Sequence, residues 1–207
     1  MSDLPLLDST NQKANPESNH PSCLIWADDI ILLSESDKGL DYMLKAMEGY
    51  CKGNELLLNT EKTKVMIFNK TGRLIRKNFT FNNIQLETVR SYKYLGFLIT
   101  PSGEINSGLK DLRDRAMKAF FKLKTTLGTQ FNRNIQTTVN LLDSLIKPIL
   151  LYCGDFGECL KLPKDNPIEK FHHMACKQIL GVQKQTTNIG VLLELGRIPL
   201  QIFARKG

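Results

Sequence analysis

Two adjacent aspartates, Asp28 and Asp29, lie inside an apolar stretch that runs from residue 23 to residue 33. Five apolar residues precede the pair and four follow it, so the stretch is predicted to form two buried strands that meet at a turn. Carboxylates in such a setting need a positive partner or take up a proton. A Mg²⁺ ion is held by a few carboxylates together with phosphate oxygens, so the pair indicates phosphoryl or nucleotidyl transfer.

The pair has a second interpretation, because Asp is also common at solvated turns that hold no metal. The flanking strands favour the metal site. At a two-residue turn both side chains project from one end of a hairpin, whereas neighbours in the middle of a strand point to opposite faces. We therefore expect Asp28 and Asp29 to form the tip of a hairpin and to share a metal ion.

Residues 25–34, Ile-Trp-Ala-Asp-Asp-Ile-Ile-Leu-Leu-Ser, resemble the aromatic-x-Asp-Asp motif of reverse transcriptases, in the form found in non-LTR (LINE-type) retrotransposons. Residues 57–68 resemble the next palm motif of that family, and residues 92–100 resemble its primer-grip strand. The C-terminal half is similar to the region that follows the palm. The resemblance implies an RNA-directed DNA polymerase whose partners are an RNA template and a DNA primer.

The resemblance also implies roles for single residues. Asp28 would be the ligand of two catalytic Mg²⁺ (or Mn²⁺) ions, and Asp29 would assist electrostatically. Lys62 could protonate the pyrophosphate leaving group, or it could be a strand-edge lysine that contacts solvent or backbone phosphate. Trp26 stands where the family most often has Tyr. It either packs near the nucleotide or primer end, or it is a large core residue.

Gly96 interrupts the apolar primer-grip stretch, which is typical of a bulge or of the close approach of another backbone. Under the resemblance that backbone belongs to the primer. Lys93 and Tyr94 would then flank it, so these three residues and Trp26 are the predicted nucleotide- and primer-binding set.

Charge is divided unevenly along the chain, whose net charge is +7. Residues 1–61 carry 4 basic and 11 acidic residues, residues 62–103 carry 8 and 1, and residues 104–207 carry 16 and 9. An acidic segment followed by basic segments fits a polymerase whose carboxylates hold metal while the rest contacts phosphate. One predicted helix has six cations with two aspartates to balance them, so we favour non-specific nucleic-acid contact over a solvated mixed surface. The six are Lys110, Arg113, Arg115, Lys118, Lys122 and Lys124.

Hydrophobic periodicity predicts an α+β fold. Helical spacing predicts one helix with inward apolar residues from Leu109 to Leu127, and a second with inward residues from Ile135 through Leu145 to Ile149 that should kink or end at Pro148; a third helix should start near Pro167 and end at Gly181. Upstream of these, a hairpin is followed by a helix that is capped within residues 34–37, whose apolar face begins at Leu40 and which ends at Gly53. Short strands then continue to Gly103, at 64–68, at 79–81 and 84–86 around a turn at Asn82 and Asn83, and at 92–100. This part would be a partial polymerase palm with a hairpin, a small sheet and a covering helix, and an all-helical thumb-like region would follow. The predicted domains are a loose lead-in at 1–22, the second half of the palm at 23–103, and the helical thumb and following region at 104–207.

The family places a further metal-binding aspartate and a fingers domain upstream of the hairpin, and neither fits into the 27 residues before Asp28. We therefore expect a fragment that is inactive alone, with a partner chain as the source of the missing fingers and first palm half. The alternative is a non-catalytic nucleic-acid-binding remnant. A third interpretation is a translated relic that folds poorly.

Five cysteines, an odd number, fit reduced thiols in an intracellular protein better than a disulfide framework. The longest apolar run is too short to span a bilayer, and the first residues do not resemble a signal peptide. We expect a nuclear or cytoplasmic protein with no membrane partner. His172 and Cys176 are spaced to share a metal, but the gap between Cys153 and Cys159 is wider than zinc sites use. A packed helix face is therefore expected here, including His173, and no zinc.

Overall fold

A computed structural model of the chain describes residues 23–152 and 166–200. These residues combine small sheets with several helices, which confirms the predicted α+β class. The chain forms two compact units: unit 1 comprises residues 1–67 and 73–90, and unit 2 comprises residues 68–72 and 91–207. The predicted boundary at residue 103 lies inside unit 2, and the assignment of palm and thumb stays a prediction.

Unit 1 begins with an antiparallel hairpin of β1 (Cys23–Trp26) and β2 (Asp29–Leu32), followed by helix α1 (Asp37–Gly53). The predicted cap is confirmed, because the Ser36 hydroxyl accepts a hydrogen bond from the Gly39 amide at 3.1 Å. The buried residues of α1 belong to the predicted apolar face. They are Leu44, Met47 and Cys51.

A three-stranded sheet follows, with β5 (Ile84–Thr88) between β3 (Lys64–Val65) and β4 (Phe79–Phe81). The predicted turn at Asn82 and Asn83 is confirmed, and both residues have positive φ angles of 47° and 62°, as a type I′ turn requires. Strand β3 is shorter than the predicted strand at 64–68. The core of unit 1 joins this sheet to α1 through Leu44, Met47, Cys51, Val65, Phe79, Phe81 and Leu86.

In unit 2 a second hairpin, β6 (Tyr92–Tyr94) and β7 (Phe97–Ile99), precedes the long helix α2 (Ile105–Leu127). A single strand over residues 92–100 was the wrong prediction. The chain reverses at Leu95 and Gly96, whose φ angles are 44° and 81°. Gly96 therefore supplies the second left-handed residue of a hairpin turn rather than a bulge, and a leucine at the first position gives no turn signal in a sequence.

Most of the other described helices pack against α2, and their apolar faces form the core of unit 2, whereas the helix Asn188–Glu194 packs against the helix Pro167–Leu180. The predicted kink at Pro148 is a π-helical turn, because proline lacks an amide hydrogen and its ring displaces the preceding carbonyl. Two residues predicted to face inward, Ile135 and Leu145, are exposed. These elements are α3 (Gln130–Arg133), α4 (Ile135–Leu141), the π-helical turn (Leu142–Ile146), α5 (Lys147–Leu150), α6 (Pro167–Leu180) and α7 (Asn188–Glu194).

Helix α6 matches its prediction at both ends. Pro167 is its first residue, and Gly181 closes it in the left-handed conformation with φ 69°. Its inward side chains pack against those of α2 in a core that includes Leu112, Ala116, Phe120, Phe171, Ala175 and Ile179. Within the described ranges, no helix is long and apolar enough to cross a membrane.

Candidate functional site

The aspartate pair lies at the turn of the β1–β2 hairpin. Because Trp26 pairs with Asp29, the two turn residues are Ala27 and Asp28, and the predicted tip is shifted by one residue. Ala27 has a positive φ of 55° and Asp28 does not, which is the pattern of a type II′ hairpin turn. Asp29 is the first residue of β2 and shares one face of the hairpin with Trp26, its cross-strand neighbour.

The hairpin is exposed, which corrects the prediction of two buried strands. Trp26 is 66% exposed and is not a core residue, and Asp28 and Asp29 are exposed as well. The sheet formed by β1 and β2 contains two strands, and apolar strand residues become buried only where a further layer covers them. The carboxylates therefore stay hydrated, and their desolvation does not by itself require a metal ion.

The chemistry of the two aspartates fits a hard divalent cation, since adjacent carboxylate oxygens are the ligands that Mg²⁺ prefers. Two carboxylates alone do not complete a binding site for Mg²⁺. Among residues 23–152 and 166–200, no group of three or more His, Cys, Asp or Glu side chains is arranged to hold a metal ion. Asp28 and Asp29 can thus supply two ligands, and any others come from outside the described residues or from a bound molecule.

Lys62 lies on the connection from α1 to β3, away from the hairpin in sequence but within the same unit. Asn59 shapes this connection: its side-chain oxygen accepts from the Lys62 amide at 3.1 Å, and its carbonyl accepts from the Thr63 hydroxyl at 2.8 Å. The Lys62 side chain is exposed and forms no ion pair with a described residue. In this chain, the three-residue spacing of Asn59 and Lys62 therefore corresponds to a local turn that the Asn59 side chain stabilises.

Three of the predicted primer-binding residues, Lys93, Tyr94 and Gly96, lie on the β6–β7 hairpin of unit 2, whereas Trp26 lies on β1 in unit 1. Lys93 and Tyr94 are on β6, and Gly96 is in the turn. The Lys93 ammonium forms an ion pair with Asp111 of α2 at 3.3 Å. Arg115, predicted to bind nucleic acid, reaches the same carboxylate at 3.0 Å and also donates a hydrogen bond to the Gly96 carbonyl at 2.7 Å.

The six cations of α2 divide into two sets. The first set is engaged within the chain: Arg113 pairs with Asp114 at 2.6 Å, Arg115 is bound as described above, and Lys124 donates to Gln178 at 2.9 Å. The second set is exposed and forms no ion pair within the described residues. It consists of Lys110, Lys118 and Lys122. These three follow each other at intervals of eight and four residues, so they share the solvent face of the helix.

One polar cluster was missed by reasoning from the sequence. His172, which is 2% exposed, accepts a hydrogen bond at Nε2 from Arg197 Nε at 3.1 Å, and Arg197 also binds Asp143 with both terminal nitrogens. On the other side of the imidazole, Nδ1 lies 3.5 Å from the buried Glu169. Glu169 precedes His172 by three residues on one helix, and this spacing in the sequence could have indicated that the two side chains interact.

The two histidines and Cys176 lie on the packed side of α6, where His172 and Cys176 are buried and His173 is half-buried. The neighbouring His173 lies 3.3 Å from the same Glu169 oxygen, and burial lowers its pKa below the usual range. Burial raises the pKa of Cys176 to about 11, so its thiol is protonated at neutral pH. The other two cysteines weighed for zinc, Cys153 and Cys159, lie outside the described residues.

Comparison with known proteins finds a family match in the first half of the chain. Residues 5–99 match the family model of the reverse transcriptase (RNA-dependent DNA polymerase), and this range contains the aspartate pair, Lys62 and the β6–β7 hairpin. A transposon-derived protein of Caenorhabditis elegans is 31% identical over 134 residues, which cover 62% of this chain and 46% of that protein. The aligned region thus spans less than half of the relative. No solved structure gives a significant match. The two matches support a reverse transcriptase domain in the first half of the chain.

Proposed function

We propose that this chain is part of an RNA-directed DNA polymerase of a non-LTR retrotransposon, with unit 1 contributing to the palm and the helices of unit 2 forming a thumb. The observation that carries the proposal is the match to the reverse transcriptase family over residues 5–99. The aspartate pair of the family motif lies within that range at a hairpin turn, where both carboxylates are accessible. The relative from Caenorhabditis elegans, named as transposon-derived, supports an origin in a mobile element.

The reaction would be nucleotidyl transfer. The 3′-hydroxyl of a DNA primer loses its proton and bonds to the α-phosphorus of an incoming nucleotide, and the bond to the pyrophosphate leaving group breaks. In this proposal Asp28 and Asp29 supply two oxygen ligands for Mg²⁺ or Mn²⁺, which when bound neutralises charge on phosphoryl oxygens. Lys62, as an exposed ammonium, is proposed to return a proton to the pyrophosphate.

The β6–β7 hairpin is proposed to hold the primer strand. A two-residue turn leaves both of its central amide groups without an internal partner, so Leu95 and Gly96 offer hydrogen-bond donors. Leu95 is exposed, and Gly96 is partly so. Donors suit a phosphate oxygen, and the neighbouring Lys93 adds positive charge. The exposed lysines of α2 would add sequence-independent attraction to the duplex.

The test is primer extension on a primed RNA template with Mg²⁺ or with Mn²⁺, comparing the wild type with Asp28→Asn and Asp29→Asn. A matched control is Asp41→Asn, which removes the same charge from an exposed position on α1. Any incorporation is expected to depend on the aspartate pair, so the first two variants abolish it and the control retains it. Incorporation that survives both changes at the aspartate pair would refute the proposed catalytic role.

A second candidate function is nucleic-acid binding without catalysis. It is favoured by one observation, namely that the described residues offer no third ligand beside Asp28 and Asp29. In that case the chain binds a primed duplex with an affinity that falls steeply as salt rises, and Asp28→Asn changes neither the affinity nor its salt dependence. Binding without incorporation, in a chain that melts cooperatively, would establish this function over the first.

A further inference from the structure

The turn of the β6–β7 hairpin has a backbone conformation that needs support. Leu95 has a φ of 44°, in the left-handed region where a side chain is disfavoured by roughly 1 kcal/mol or more. Such a conformation persists when surrounding contacts hold it in place. The strands on either side are three residues long, so the hairpin itself supplies few hydrogen bonds.

Two side chains of unit 2 bind the carbonyl groups of this turn. The Tyr152 hydroxyl donates to the Leu95 carbonyl, and the Arg115 guanidinium donates to the Gly96 carbonyl at 2.7 Å. The Tyr152 ring also lies against Gly96, because a Cβ built there would be 3.3 Å from its Cε1 atom. The donors come from different elements, α2 and the turn after α5, so the turn is held from two directions.

Arg115 is in turn oriented by its own helix. Asp111 lies one helical turn earlier, and its carboxylate is 3.0 Å from the same Arg115 nitrogen that binds the Gly96 carbonyl. One terminal nitrogen of Arg115 thus binds the Gly96 carbonyl, and the charge of the guanidinium is paired with Asp111. Arg113, two residues earlier, pairs instead with Asp114 and forms no hydrogen bond or ion pair with the described residues of the hairpin.

The hairpin packs closely against α2 because Gly108, at the point of contact, has no side chain. A Cβ added at the buried Gly108 would lie 2.1 Å from the ring of Phe97, so the ring occupies the space that any other residue would fill. This contact brings β7 against the helix within reach of Arg115. The three contacts together, which involve Gly108, Arg115 and Tyr152, are called the hairpin clasp below.

We infer that Arg115 and Tyr152 are positioning residues that hold the Leu95–Gly96 turn in its left-handed conformation, and that Arg115 is not a phosphate contact. Because the clasp occupies both carbonyls of the turn, the backbone groups left for a ligand are its two amide donors. The last step, that these donors meet the primer strand, rests on the proposed function. The first step, that the clasp maintains the turn, is independent of it.

The first experiment follows the clasp itself by hydrogen exchange of the amides of residues 92–99 in the full chain. The variants are Arg115→Gln and Tyr152→Phe, and the matched controls are Arg113→Gln, which removes the same charge from α2, and Tyr42→Phe at an exposed position of α1. We expect about tenfold faster exchange in the first two and no change in the controls, as for the loss of one hydrogen bond. Exchange unchanged in both Arg115→Gln and Tyr152→Phe would overturn the inference.

The second experiment measures affinity for a primed RNA–DNA duplex as a function of salt. If Arg115 is a positioning residue, Arg115→Gln and the uncharged change Tyr152→Phe weaken binding to a similar extent and leave the salt dependence as in the wild type. If Arg115 contacts phosphate, Arg115→Gln alone reduces the slope of log K against log salt by about 0.9, and the inference is wrong. A wild-type chain that binds no duplex refutes the proposed function, while the exchange experiment still decides whether the clasp exists.

Discussion

The exposed lysines of α2 give a prediction whose size can be worked out. Lys118 and Lys122 lie one helical turn apart on the solvent face, and neither has an ion pair among the described residues. Lys110 is two turns earlier on the same helix. The double variant Lys118→Gln/Lys122→Gln removes two of these three cations without disturbing the core, which lies on the opposite face of the helix.

Counterion release sets the expected magnitude. Each phosphate contact contributes about −0.9 to the slope of log K against log salt on duplex DNA. If the three lysines each contact one phosphate, their share of the slope is about −2.7, and the double variant retains about −0.9 of it. Between about 50 and about 200 mM salt these shares correspond to about 40-fold and about 4-fold losses of affinity.

The assay is a fluorescence-anisotropy titration of a primed duplex at several salt concentrations. The matched control, Arg113→Gln/Lys124→Gln, also removes two charges from α2, but from residues already engaged with Asp114 and Gln178. We expect its slope to change by less than half as much. Equal slope changes in the two double variants would refute the division of the cations into exposed and engaged sets.

Three further predictions concern stability and reactivity in unit 2. Gly108→Val forces the Phe97 ring out of its place and should cost about 1–3 kcal/mol by overpacking, seen as a lower urea midpoint. Arg197→Lys keeps a charge but leaves the buried His172 Nε2 without its donor, which should cost about 1–3 kcal/mol in the same assay. The Cys176 thiol, whose pKa burial raises to about 11, should resist alkylation at pH 8 in the folded chain and react after unfolding.

Gly108→Val has a matched control, and for Arg197→Lys a contradicting result can be named. Gly49→Val, at a glycine of α1 with no atom within 4 Å of its added Cβ, tests the general effect of valine in a helix, and an equal loss there would dismiss the steric reason at Gly108. An Arg197→Lys chain as stable as the wild type would show that the histidine contact contributes nothing. The raised pKa of the Cys176 thiol also makes the free energy of unfolding depend on pH. The stability gained by burying the neutral thiol is present below pH 9 and is lost as the pH rises towards 11.

Local patterns predicted the local structure well. The apolar spacing from Leu109 to Phe120 specified the buried face of α2, since helical periodicity is a property of the segment itself. The same holds for the turn at Asn82 and Asn83, two residues that tolerate positive φ. The closing residue of α6, Gly181, belongs to this group as well.

These local patterns do not predict which residues are buried or which side chains pair with each other. The apolar run around Asp28 predicts a buried hairpin, but the hairpin is exposed, because burial depends on a second layer that the run itself does not encode. Arg115 and Lys118 are both basic residues of one helix, and only the position of the Gly96 carbonyl separates a positioning residue from an exposed cation. The type of a residue is visible in the sequence, whereas its partner is set by chain reversals far away from it.

The exposure of the β1–β2 hairpin has a consequence for handling the protein. Among the described residues, this hairpin is a two-stranded ribbon with no further strand at its edges, to which another chain could add a strand, and the exposed Trp26 and Ile25 favour such addition. Asp28 and Asp29 place two negative charges at the end of this ribbon, where like charges of a second copy would be brought together and repel it. We therefore expect the pair to oppose self-association of the chain through this hairpin. Neutralising both residues at once should yield aggregates, so loss of activity in a doubly substituted chain must be judged against its sedimentation.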